Sequence, residues 1–199
     1  MTTAHTSLST ARRHPGALAA LVAAALLACT CACSAADLAL PESPATEEIG
    51  TDGGDLPADA TVFDDHLPGI ANLDPALRGA LERATVKARS DGVVITITSG
   101  WRSADFQDQL LEEAIAEYGS RQEALRWVAT AETSAHVLGE GIDIGPYDAI
   151  DWLVRFGAAF GLCQTYANES WHYELRPAAA QEGCPPPFED PTDDPRMGG

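Results

Sequence analysis

The six residues Val93 to Thr98, VVITIT, constrain this chain more than any other stretch. Every one is β-branched, which suits a pleated strand better than a helix. Val93, Ile95 and Ile97 fall on one face, and Val94, Thr96 and Thr98 on the other. Ser99-Gly100 ends the run. Helical patterns lie on both sides of it. Asp74 is placed to cap a helix with Pro75 in its first turn, and Leu77, Leu81, Ala84 and Ala88 recur at helical spacing as far as Arg89. Asp91-Gly92 then turns the chain. After the strand, Phe106, Leu110, Leu111, Ala114 and Ile115 predict a helix beginning at Ser103. Arg121 to Ala129 predicts a shorter one. Gly141 to Gly145 reads as a glycine-bounded strand, with Ile142 and Ile144 facing one way and Asp143 the other. Tyr147 to Phe160 reads as a helix and Trp171 to Leu175 as a closing strand. Strands mixed with helices, without regular alternation, predict an α+β fold.

The 199 residues suggest one domain with extensions. Arg12 and Arg13 precede the apolar run Ala17 to Ala28, the pattern of an export signal over residues 1–28. Leu26-Leu27-Ala28-Cys29 resembles a lipobox, which would make Cys29 a lipidated residue and the membrane a partner through that anchor. The small residues Cys33 to Ala36 offer an ordinary signal-peptidase site instead. Residues 29–59 read as a disordered linker, 60–184 as the folded domain, and 185–199 as a disordered tail. A formal net charge of -18 repels phosphate backbones and argues against nucleic acid as a partner.

Within the expected domain the cysteines are Cys163 and Cys184. In an exported chain they read as one disulfide, with soft metal ligation as the alternative. The histidines there are His66, His136 and His172. His136 and His172 sit in polar, glycine-bordered contexts, and Asp143 follows His136 closely. Two imidazoles and a carboxylate are suitable ligands for Zn²⁺, leaving a position for water. A nearby carboxylate, Glu169 or Glu174, would take a proton from that water. Each ligand taken singly also fits an ordinary structural or surface role. The helical HExxH signature is absent.

Three blocks in order carry a resemblance. They are SGWRSADFQ (Ser99 to Gln107), SAHVLGEGID (Ser134 to Asp143) and ESWHYE (Glu169 to Glu174). Together they resemble the zinc D-alanyl-D-alanine carboxypeptidase and dipeptidase family, the VanY and VanX type. Trp101 stands where the family has Tyr, and Gly141 where it has Ala. The resemblance implies a small α+β domain whose antiparallel sheet carries one zinc, flanked by helices. It implies His136, Asp143 and His172 as ligands, Glu169 as general base, and Arg102 on the oxyanion or the substrate carboxylate. Ser134 would lie near the substrate or beside the metal-binding strand, and Gln107 near the substrate. The implied reaction is removal of a terminal D-alanine from peptidoglycan stem peptides. An L,D-carboxypeptidase or a cross-link endopeptidase on the same scaffold, or a wall-binding module without catalysis, would carry the same blocks. A Cys163–Cys184 bond would brace the loop bearing Glu169 and His172.

Overall fold

The computed structural model describes residues 49–197. The expected export signal, Cys29 and most of the expected linker lie outside them. The elements in order are α1 (Pro68–Ala71), α2 (Pro75–Ser90), β1 (Thr96–Ser99), α3 (Ala104–Tyr118), α4 (Arg121–Ala124), β2 (Gly141–Gly145), α5 (Tyr147–Phe156), β3 (Leu162–Gln164), β4 (His172–Leu175) and α6 (Ala179–Glu182). The strands form one antiparallel sheet in the order β1-β2-β4-β3. The architecture is the expected α+β domain. Among the described residues no helix is long and apolar enough to cross a membrane.

The core lies on one face of the sheet. Helix α2 begins where Asp74 accepts from the Ala76 and Leu77 amides, with Pro75 behind the cap. Its buried stripe, Leu77, Ala80, Leu81, Ala84 and Ala88, follows helical spacing. That stripe joins Ile95, Ile97, Ile142, Ile144, Leu162 and Tyr173 from the sheet side and Ile150, Trp152 and Leu153 from α5. Burying a Leu or Ile of this kind contributes about 1.5–3 kcal/mol. A second apolar cluster, Leu111, Ala114 and Ala124, joins α3 to α4 on the flank.

Several elements differ from the sequence reading. The β1 strand starts at Thr96 rather than Val93. Its partner β2 is five residues long, and Thr96 already faces the end of it at Gly145. Val93 instead bonds back to the Ala88 carbonyl at the end of α2. Helix α4 stops at Ala124 rather than Ala129. Leu125 and Val128 still pack on the flanking cluster, so their apolar spacing reflects burial without a helix. The last residues of the expected Tyr147–Phe160 helix tighten into a 3₁₀ turn, Gly157–Phe160. Strand β3 has no sequence signal, because three residues are too few to show alternation.

The boundaries also need correction. The linker was expected to reach residue 59, yet Thr51–Gly53 forms a 3₁₀ turn. The Gly53 carbonyl accepts from Ser103 N–H, and Leu56 packs on the core. The tail was expected to be disordered from residue 185. Phe188 instead exchanges backbone hydrogen bonds with Thr165 and Ala167, and Asp190 and Asp194 are buried. Each of those aspartates caps a 3₁₀ turn that starts at the proline following it, accepting from the Thr192 and Arg196 amides respectively. An acidic, proline-rich composition suggests solvation, but Asp-Pro pairs are also helix starts.

Cys163 and Cys184 are disulfide-bonded across 21 positions. The bond ties β3 to the segment that follows α6. Replacing both cysteines with alanine should lower the unfolding free energy by about 3 kcal/mol. Denaturant titration under oxidising conditions measures this, and the reduced wild type should move to the same midpoint.

Candidate functional site

Strand register assembles the centre of the site. Ser99 of β1, Asp143 of β2 and His172 of β4 are cross-strand partners in one row. Alternation places Asp143 on the sheet face opposite Ile142 and Ile144, so the core and the polar site occupy opposite faces. His136 arrives from the loop between α4 and β2. A turn there closes with Gly139, at φ 73°, where an added Cβ would lie 2.5 Å from the Asn72 carbonyl oxygen. Only glycine meets both demands.

The histidine tautomers follow from their outer partners. His136 Nδ1 lies 2.8 Å from the Gly100 carbonyl, an acceptor. Nδ1 therefore carries the proton, and Nε2 presents its lone pair 3.4 Å from Asp143 Oδ1. His172 turns the other way. Its Nδ1 lies 3.1 Å from Asp143 Oδ1 and its Nε2 lies 3.4 Å from Glu174 Oε1. The ring of Tyr166 stacks on it at 5.2 Å. The donor atoms of His136, Asp143 and His172 all lie within 4.8 Å of one another, and all three residues are buried. Two nitrogens and one oxygen in that space fit a single Zn²⁺ with an open position. The outward hydrogen bonds to Gly100 and Glu174 are the kind that fix such ligands.

Gly141 opposes Glu174 in the register. A Cβ at Gly141 would come within 2.8 Å of His172 Cε1. The alanine usual in the resembling family would therefore force this imidazole to move.

The other oxygen of Asp143 is taken by Arg102, at 2.9 Å. Arg102 also donates through Nε to Ser99 Oγ at 2.7 Å and through Nη1 to Gln107 Oε1 at 3.1 Å. Gln107 is buried, and its Nε2 donates to the Ala129 carbonyl. The amide thus holds the guanidinium, and Gln107 also lines the cavity that holds the ligands. A guanidinium has five N–H donors. After these bonds, donors remain on Nη1 and Nη2.

Glu169 and Ser134 line the same cavity as Arg102, His136, Asp143 and His172, about 400 Å³ in volume. Both are buried. Burial pushes the Glu169 carboxyl up to about 7, although His172 pulls it down. Glu174, the other carboxylate considered as a base, lies behind His172. Burial alone would raise its pKa, but the hydrogen bonds from His172 and Arg196 bring it down to about 2. An acid held that firmly ionised is a poor proton carrier, and its position makes it an orienting group.

Sequence reasoning missed several supports. Ser99 lay within a recognised block without an assigned part. Gly100 acts through its carbonyl, which no side-chain pattern reports. Tyr166 and Arg196 reach the site from segments without a motif.

Two imidazoles and a carboxylate on an antiparallel sheet, with a buried glutamate and an arginine beside them, form a candidate zinc centre. The chain belongs to the VanY family of D-alanyl-D-alanine carboxypeptidases, whose family model matches residues 71–178. A D-alanyl-D-alanine carboxypeptidase of Enterococcus faecalis (strain ATCC 700802 / V583) is 29% identical over 143 residues, 59% of this chain and 53% of that protein. The chain thus spans about half the length of that relative. The crystal structure of a vancomycin-resistance D,D-pentapeptidase VanY in complex with Zn(II) superposes with a TM-score of 0.51 at 26% identity, covering 56% of this chain and 80% of that one. The LdcB LD-carboxypeptidase shares the fold, with a TM-score of 0.51 at 19% identity over 66% of this chain and 72% of its own.

Without metal, burial opposes a charge on His172, but hydrogen bonds to Asp143 and Glu174 outweigh it and raise its pKa to about 9. At neutral pH the free site therefore carries a proton that zinc must displace. Zinc binding at pH 7 should release that proton, and apparent affinity should rise with pH up to about 9. Calorimetry in buffers of different ionisation enthalpy reads the release directly, and Asp143→Asn should abolish high-affinity binding.

Proposed function

We propose that this chain is a zinc-dependent D,D-carboxypeptidase that removes the terminal D-alanine of peptidoglycan stem peptides outside the cytoplasm. The observation that carries this reading is the convergence of His136, Asp143, His172, Arg102 and Glu169 on one cavity. When bound, zinc supplies a Lewis acid that polarises a carbonyl and acidifies water. Glu169 is the base. Its carboxylate takes a proton from the attacking water and passes it to the leaving amine nitrogen. Burial raises its pKa to about 7, close to the pH at which it must both accept and release a proton.

The spare N–H groups of Arg102 hold the terminal carboxylate of the substrate or the developing oxyanion. A second cavity of about 340 Å³ adjoins Arg102 and Asp143, lined in part by Gly54, Asp55, Leu56, Phe106 and Trp171. It offers room for a terminal residue next to the guanidinium. Ser134, which lines the cavity, would contact bound peptide. The similarity to the Enterococcus faecalis carboxypeptidase and to the D,D-pentapeptidase, at 29% and 26% identity, supports a D,D assignment. The basic and apolar N-terminal stretch supports export, with Cys29 as the residue for a lipid anchor.

The test is incubation of the purified protein, with zinc and with chelator, against stem peptides ending in D-Ala-D-Ala and in L-Lys-D-Ala. Mass spectrometry should show loss of one D-alanine from the first peptide, only with zinc. Loss from the second peptide alone would establish the L,D reading instead. Cleavage confined to cross-linked muropeptides would make the protein an endopeptidase. No cleavage by zinc-loaded protein would leave a wall-binding module.

Glu169→Gln should lower kcat by about 10²–10⁴-fold while zinc still binds. In the wild type the base works only when ionised. Activity should therefore fall as pH drops through its pKa, at or below about 7 once the cation draws that value down. The acid limb should be missing from the residual activity of Glu169→Gln.

A further inference from the structure

The segment after Cys184 lies beyond the residues that the family model matches, yet it reaches the metal centre twice. Arg196 grips Glu174 with a two-pronged contact, Nη1 to Oε2 at 2.8 Å and Nη2 to Oε1 at 2.9 Å. Glu174 Oε1 is also the atom facing His172 Nε2. Asp194 accepts from the Tyr166 hydroxyl at 3.1 Å, and the Tyr166 ring stacks on the same imidazole. Asp194 and Arg196 are joined to each other as well, at 2.9 Å from Nε to Oδ2. Glu174, which faces His172 Nε2, and Tyr166, which stacks on the ring, are therefore both held by one short turn, Pro195–Met197, and its cap. Pro191 and Met197 line the same cavity as the ligands.

From this geometry we infer that Arg196 is a positioning residue for the ligand His172, acting through Glu174. A carboxylate that accepts from the far nitrogen of a ligating imidazole fixes the ring and makes its metal-facing nitrogen more basic. Glu174 performs that task only if its own plane is fixed. It sits at the end of three single bonds, and a bidentate guanidinium is the partner that fixes a carboxylate in both direction and plane. Arg176 adds a single contact to Oε2 at 3.1 Å, which leaves the plane free to rotate. The inference rests on the zinc reading of His136, Asp143 and His172. It adds that this chain completes its metal centre with residues outside the family's matched segment.

The buried surroundings explain why the contact needs an arginine. The Glu174 and Asp194 side chains are 2% and 1% exposed. Two neighbouring buried carboxylates repel each other unless a cation stands between them. The Arg196 fork spans both, which a single ammonium cannot do with the same geometry.

The experiment measures zinc affinity of the full chain by competition with a chromogenic chelator, for wild type, Arg196→Ala, Arg196→Lys, Glu174→Gln and the Arg196→Ala/Glu174→Gln double variant. Thermal melting of each metal-free protein is recorded alongside. Arg196→Ala should weaken zinc binding by about 10–100-fold. Arg196→Lys should recover only part of that loss. The double variant should be no weaker than the worse single variant, since both act on one imidazole. If metal-free Arg196→Ala does not fold, Arg196→Lys carries the test, and it should bind zinc measurably more weakly than wild type. Wild-type affinity in the folded arginine variants, whatever their melting temperatures, overturns the inference and leaves Arg196 a structural residue. Fully additive losses in the double variant overturn the route through Glu174. Failure of wild type itself to bind zinc would instead refute the metal reading on which the inference rests.

Discussion

A carboxylate buried among imidazoles is tolerated only when its charge is met on every side, and Asp143 is that group here. One oxygen faces His136 and His172, and the other takes a hydrogen bond from Arg102. Burial alone would raise its pKa, but the neighbouring imidazoles and Arg102 hold it well below the usual carboxylate range. The remaining features of the site can be read as answers to the question of what keeps those partners in place. Gly100 fixes His136, Ser99 and Gln107 fix Arg102, and Glu174 fixes His172.

The fold supplies these supports cheaply because strand pairing has already aligned them. Ser99, Asp143 and His172 are neighbours in a row across the sheet. The opposite face of the same strands is sealed by α2 and α5. A slip of one residue in β2 would bury Asp143 in the hydrocarbon core and turn Ile142 or Ile144 toward the cavity. The core therefore protects the site's register as well as the domain's stability.

Much of this was legible in the residues. Asp74-Pro75 with its apolar stripe marked α2, and Ile142-Asp143-Ile144 marked a strand with its polar residue on the far face. The three motif blocks marked His136, Asp143, His172, Arg102 and Glu169 as belonging together, which their spacing alone left open. What stayed hidden has physical reasons. The length of β1 is set by its partner rather than by its own β-branched run. Strand β3 is too short to show a period. The hold that Gln107 has on Arg102 and Ala129 stayed hidden because a motif block names residues without their hydrogen-bond partners. The segment from Pro185 was read from composition alone. The signal that located α2 was present there in Asp190-Pro191 and Asp194-Pro195, and it marks the turns that bring Arg196 to Glu174.

The central claim is that one zinc sits among His136 Nε2, Asp143 Oδ1 and His172 Nδ1. Anomalous X-ray scattering from zinc-loaded crystals, recorded on both sides of the zinc edge, tests it most directly. The account predicts one strong peak per chain, about 2.0–2.2 Å from each of those three atoms. A peak on other side chains, such as the carboxylates of Asp190 and Asp194, with none among the three, would contradict it.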